Sequence, residues 1–89
     1  MPRVCFTPNL HKLIEVHEYD VPGSTLGEAL KAVFQQQPRL ESYILDEQRG
    51  VRRHINLFLD GELIREKNPL DKQINPQSVI YVMQALSGG

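Results

Sequence analysis

The stretch that most limits the folds open to this chain runs from Thr25 to Pro38. Thr25-Leu26-Gly27-Glu28 has the spacing of a capping box, in which a threonine hydroxyl satisfies an orphan backbone N–H and a glutamate three residues on reaches back. Leu26, Ala29, Leu30, Val33 and Phe34 then recur at helical spacing along one face. Pro38 cannot continue the pattern, so the spacing predicts one amphipathic helix ending near Gln37. A helix with one apolar face needs a surface to bury it, and the remainder of the sequence offers short strands.

Arg3 to Thr7 reads as a strand stopped by Pro8-Asn9, and Leu13 to Tyr19 as a second, with Ile14 and Val16 on one face and Glu15 and His17 on the other. Asp20-Val21-Pro22-Gly23 ends it with turn residues. After the helix, Arg39 to Arg53 reads as irregular, anchored by Leu40, Tyr43, Ile44 and Leu45, with Asp46 to Gly50 turn-like. His54 to Leu59 alternates as a strand, Ile55, Leu57 and Leu59 on one face and His54, Asn56 and Phe58 on the other. Asp60-Gly61 suits a two-residue hairpin turn, since type I′ geometry requires positive φ. Glu62 to Arg65 returns as a short strand. Asn68-Pro69 and Asn75-Pro76 break the next segment, with Leu70 and Ile74 turned inward. Val79 to about Ala85 is a final strand. The order β-β-α-β-β-β predicts an α+β fold: a mixed sheet of about five strands with one main helix across one face. The opening and closing strands would then pair at the centre.

The 89 residues suit a single domain, placed at 1–85 and followed by a flexible tail at 86–89. A net charge of −1 gives no electrostatic reason to expect nucleic acid or an anionic membrane as partner. No apolar run approaches a membrane span and no signal-peptide pattern opens the chain, so a cytoplasmic protein is expected. Cys5 is the only cysteine; within Val4-Cys5-Phe6 it reads as a buried, inert strand residue, and a reducing compartment follows from the lack of a disulfide partner. His11, His17 and His54 are scattered without a cysteine pair, so no metal site is expected. Gly23 to Gly27 lacks the lysine spacing of a phosphate loop. Arg49, Arg52 and Arg53 cluster beside Gly50; a solvated loop is the plain reading and a docking role the alternative.

The last residues, Leu86-Ser87-Gly88-Gly89, follow directly on that final strand. Extended, they would reach roughly 13 Å past the sheet, a shape suited to a narrow slot in another protein. A frayed end is the alternative.

The order of elements, the helix start Val21-Pro22-Gly23-Ser24-Thr25-Leu26-Gly27-Glu28-Ala29-Leu30, the segment Ile55-Asn56-Leu57-Phe58-Leu59-Asp60-Gly61 and the terminal Ser87-Gly88-Gly89 together resemble the MoaD/ThiS family of β-grasp sulfur carriers, relatives of ubiquitin. Leu45-Asp46-Glu47 followed by Val51 to Leu57 looks more like carriers serving cysteine or another sulfur metabolite than like the thiazole carriers. Gln84-Ala85-Leu86 departs from the proline-rich apolar residues that many members carry before the tail, which leaves the partner open.

The resemblance implies a carrier, not an enzyme. The Gly89 carboxylate would be adenylated by an E1-like enzyme that spends ATP, then converted to a thiocarboxylate by a sulfur donor (a sulfurtransferase or a persulfide) and delivered to an acceptor synthase. The tail Leu86, Ser87, Gly88 and Gly89 would enter the activating enzyme; no catalytic residue, bound cofactor or metal is implied, and the free protein should be a monomer. Glycines suit that entry because no Cβ obstructs a tight channel. The alternatives are the molybdopterin synthase small subunit, a ubiquitin-like modifier conjugated to lysines, and an interaction module that is never activated. Alternation turns Phe58, Tyr81 and Met83 away from the helix as a candidate partner surface; the competing arrangement is that Arg39 to Arg53 folds over them.

Overall fold

Alternation between buried and exposed positions sets the middle of the fold. The computed structural model describes residues 1–6, 18–53, 55–66 and 69–84, with the side chain of residue 84 not described. Strand β1 (Arg3–Phe6) pairs antiparallel with β2 (Glu18–Asp20) and parallel with β5 (Val79–Gln84). β5 pairs antiparallel with β3 (Ile55–Leu59), which forms a hairpin with β4 (Glu62–Leu63). The sheet order is β2-β1-β5-β3-β4. The first and last strands therefore meet at the centre, as expected from the sequence.

Helix α1 (Leu26–Gln36) lies across one face of this sheet. Leu26, Ala29, Leu30, Val33 and Phe34 are buried against Val4 and Phe6 of β1, Ile55 and Leu57 of β3, and Ile80 and Val82 of β5. Burying one such leucine or valine fully is worth about 1.5–3 kcal/mol, so this layer carries most of the stability. Tyr19 of β2 meets Phe6 edge-on, with ring centroids 5.8 Å apart.

The helix start is built as its spacing predicts, with one shift. Thr25 Oγ1 accepts from the Glu28 N–H at 3.2 Å. Glu28 Oε1 accepts from the N–H of Ser24 at 2.7 Å and from its hydroxyl at 3.0 Å, one residue further back than the box requires. Residues 72–74 clip the same corner: Leu26 N–H donates to Lys72 O at 2.9 Å and Ile74 N–H to Ser24 O at 3.0 Å.

Three expectations need correction. The segment after Pro38 is not wholly irregular, because Arg39–Ile44 forms a short helix, α2, that buries Leu40 and Ile44. The second strand is described only at Glu18–Asp20, past the predicted end at Tyr19; residues 13–17 lie outside the described part. β4 is Glu62–Leu63; beyond it Ile64 N–H still donates to Leu57 O of β3 at 2.8 Å, but Arg65 does not extend the strand. The hairpin turn itself is as read: Asp60 and Gly61 have φ of 51° and 89°, the type I′ signature. Leu70 and Ile74 pack against the core, half-buried.

Candidate functional site

The face of the sheet opposite α1 is where the described structure leaves apolar surface open. Register places Glu18, Cys5, Tyr81, Phe58 and Leu63 in one row across all five strands. Alternation along β5 adds Val79 and Met83 to the same face, while Ile80 and Val82 point to the helix with no exposure. Tyr81 is 43% exposed, and Val79, Leu63 and Met83 between 37% and 38%. Phe58 is half-buried beside them. Phe58, Gly61, Val79, Tyr81 and Met83 line a shallow depression of about 370 Å³.

Phe58, Tyr81 and Met83 share this face, the side to which alternation in the sequence assigns them. The Arg39 to Arg53 segment does not cover them: its apolar residues Leu40, Ile44 and Leu45 join the helix-side core instead. Val79, Leu63 and Gly61 were missed. The signal was available, since Val79 has the parity of Tyr81 and the two-residue turn sets Leu63 opposite Phe58.

One flank of the face is charged. Arg3 Nε donates to Asp20 Oδ1 at 3.2 Å, and Arg3 Nη1 lies 3.5 Å from Glu18 Oε1. Cys5 sits between Glu18 and Tyr81 in the row yet is only 8% exposed. Burial, and then the Glu18 charge, push its thiol pKa up, so it stays protonated at neutral pH and is no nucleophile. An apolar face with a charged rim can bind a protein surface.

Among the described residues, no cluster of three or more His, Cys, Asp or Glu side chains is placed to hold a metal. His11, His17 and His54 lie outside the described residues, as do Leu86, Ser87, Gly88 and Gly89. No helix of the described residues is long and apolar enough to cross a membrane.

A mixed five-stranded sheet with its opening and closing strands parallel at the centre, and one long helix across one face, is the ubiquitin-like β-grasp arrangement. Solved structures agree. A chain of the Amycolatopsis orientalis BexX/CysO complex superposes with a TM-score of 0.87 at 18% identity, covering 100% of both chains. SAMP1 from Haloferax volcanii gives a TM-score of 0.79 at 24% identity, covering 99% of this chain and 98% of that one. CysO from Mycobacterium tuberculosis gives 0.83 at 16% identity, covering 97% and 100%. At these identities the likeness establishes the fold. No curated protein matches the sequence significantly. The profile of the ThiS family, however, matches residues 9–89. The chain belongs to the ThiS family, which consists of small carrier proteins rather than enzymes.

Proposed function

We propose that this protein is a sulfur carrier whose working atom is the α-carboxylate of Gly89. The observation that carries the proposal is the reach of the family match, which extends through Gly88 and Gly89. A carboxylate is a poor electrophile. An E1-like enzyme spends ATP to form the Gly89 acyl-adenylate and pyrophosphate, and a sulfur nucleophile then attacks the acyl carbon and displaces AMP. With sulfide the product is the thiocarboxylate directly; with a persulfide donor, the acyl disulfide formed first is reduced by a thiol. The thiocarboxylate sulfur is delivered to an acceptor in the synthesis of cysteine or another sulfur metabolite. The chain supplies the scaffold and the tail, with ATP bound by the partner.

The open face containing Phe58, Tyr81 and Met83 is the surface we assign to the activating enzyme. Its support is the apolar depression flanked by a charged rim, together with the fact that one structural neighbour comes from a two-protein complex.

Deleting Gly89, or converting its carboxylate to an amide, should abolish ATP–pyrophosphate exchange by the cognate activating enzyme while leaving the thermal melt unchanged. Gly88→Val should impair exchange, because a β-branched side chain obstructs a narrow channel and restricts the backbone. Wild-type exchange by the Gly89 deletion sinks the proposal. Intact mass from the native cell adds a second readout: replacement of one oxygen by sulfur is expected, and a ladder of lysine conjugates would instead mark a modifier.

A further inference from the structure

The open face is apolar at its middle and negative at its margin. Cross-strand register sets out two rows on it: Asp20, Arg3 and Val79 in one, and Glu18, Cys5, Tyr81, Phe58 and Leu63 in the other. Among the described strand residues of this face, Arg3 is the one cation, and it is already engaged, with Nε 3.2 Å from Asp20 Oδ1 and Nη1 3.5 Å from Glu18 Oε1. One guanidinium against two carboxylates leaves a negative charge over. Asp60 adds another carboxylate at the far end of the first row, where its Oδ1 accepts from the Val79 N–H at 2.9 Å. The Glu18 and Asp20 side chains are 66% and 60% exposed, so both are open to a partner.

That charge lies inside an ordinary interface built on the apolar centre. Glu18 stands two strands from Tyr81, which is about 10 Å. A standard interface covers about 800 Å² on each partner, a patch roughly 30 Å across, so one centred on Tyr81 reaches past Glu18. A carboxylate covered in this way loses water, at a cost in free energy unless a cation meets it. A second copy of this chain does not supply that cation. Tyr81 is the middle residue of its row, so a two-fold axis along the strands would set Glu18 over the other copy's Leu63, and an axis along the row would set Glu18 over Glu18. The first covers a charge with apolar surface, and the second opposes like charges. The occupant that fits is a different protein.

We propose that the protein docking on the open face carries an arginine or lysine that meets Glu18, set about 10 Å from an apolar side chain seated over Tyr81 and Phe58. This deepens the reading above, in which the face receives the activating enzyme, and rests on it. The apolar centre supplies adhesion, and Glu18 selects: a partner with a matching apolar patch but a carboxylate at that point is rejected. Arg3 need not be left unpaired. Its contact with Asp20 is the shorter of the two, so Glu18 can turn to an incoming cation while the guanidinium stays with Asp20.

The test is calorimetric titration of the cognate adenylating enzyme with the full chain, as wild type, Glu18→Gln and Glu18→Lys, at low and high salt. The ion pair of Glu18 with Arg3 is exposed, and such pairs add little stability, so both variants should melt close to the wild type. We expect Glu18→Lys to bind about tenfold more weakly at low salt, Glu18→Gln to fall between it and the wild type, and both gaps to narrow at high salt. Equal affinity of Glu18→Lys and wild type, for an enzyme that catalyses normal pyrophosphate exchange with the wild-type carrier, overturns the basic-partner assignment alone. A gap that salt does not narrow overturns it too, because a charge contact is screened and a packing contact is not. Absence of exchange with the wild-type carrier overturns the carrier reading and this inference with it. A wild-type dimer in sedimentation velocity that dissociates on Phe58→Glu would give the face to a second copy and overturn the inference.

Discussion

Asp60 and Gly61 show how much one turn decides. Asp60 tolerates φ of 51° and does more than turn the chain: its Oδ1 accepts from the Val79 N–H and its own N–H donates to Val79 O, both at 2.9 Å. The turn thus stitches the β3–β4 hairpin to the start of β5. At Gly61 an added Cβ would meet nothing within 4 Å, so φ of 89° is the sole objection to a side chain there. Gly61→Val should therefore cost about 1–2 kcal/mol, seen as a melt lowered by about 5–15 °C, with the fold kept. Gly23 is a harder case, since φ is 150° and an added Cβ would lie 2.8 Å from Ala29 N, against the helix backbone. Gly23→Ala should lower the melt further than Gly61→Val. The reverse order would mean that backbone strain outweighs the clash at these two turns. The Asp60-Gly61 turn was legible because two adjacent residues with unusual φ preferences announce it. Gly23 was legible only as a turn residue, because its crowding comes from a helix that packs back onto it.

At the scale of elements, α1 was readable and α2 was not, for the same physical reason. Five apolar residues over more than two turns establish a helical face, whereas α2 offers Leu40, Tyr43 and Ile44 in six residues, too short a run for helical spacing to stand out. Pro38 ended the first helix as expected but also sits at the N-cap of the second, where its fixed φ, here −58°, is already helical. The α1 cap also makes a pH prediction. Hydrogen bonds from the Ser24 N–H and then the Ser24 hydroxyl hold the Glu28 carboxylate pKa below its ordinary value of 4.5. A carboxyl that binds its proton less readily when folded adds stability that is full above the ordinary pKa and is lost as pH falls through the depressed one. Glu28→Gln retains an acceptor but no charge. Its melting temperature should fall below that of the wild type at neutral pH by an amount that shrinks as the solution is acidified below about 4.5. A gap that stays constant into acid would show that the Glu28 charge is not what the cap uses.

For the molecule as a whole, strand alternation was enough to find the open face, because inward positions leave their neighbours with one place to go. Phe58, Tyr81 and Met83 were found in this way. Cys5 was expected to be buried, but its placement on the outward side needed the pairing of β1 with both β2 and β5. If the open face binds the activating enzyme, Phe58→Glu should weaken that complex by at least about 2 kcal/mol, roughly thirtyfold, with a near-normal melt. Wild-type affinity in a folded Phe58→Glu protein would remove the face from the interface; an unfolded variant would show that the half-buried ring is needed by the sheet.

The central position of β5 also has a consequence in time. β5 is hydrogen-bonded on both sides, to β1 and to β3, so neither half of the sheet is joined to the other until residues 79–84 are in place. Contacts between residues so far apart in sequence form late, since the closure entropy of the long intervening loop must be met before they give any return. The strand that joins the two halves of the sheet is also the one that the terminal residues follow in sequence. On the carrier reading proposed above, a chain whose sheet is incomplete should not be loaded, so that folding and activation would be coupled through β5.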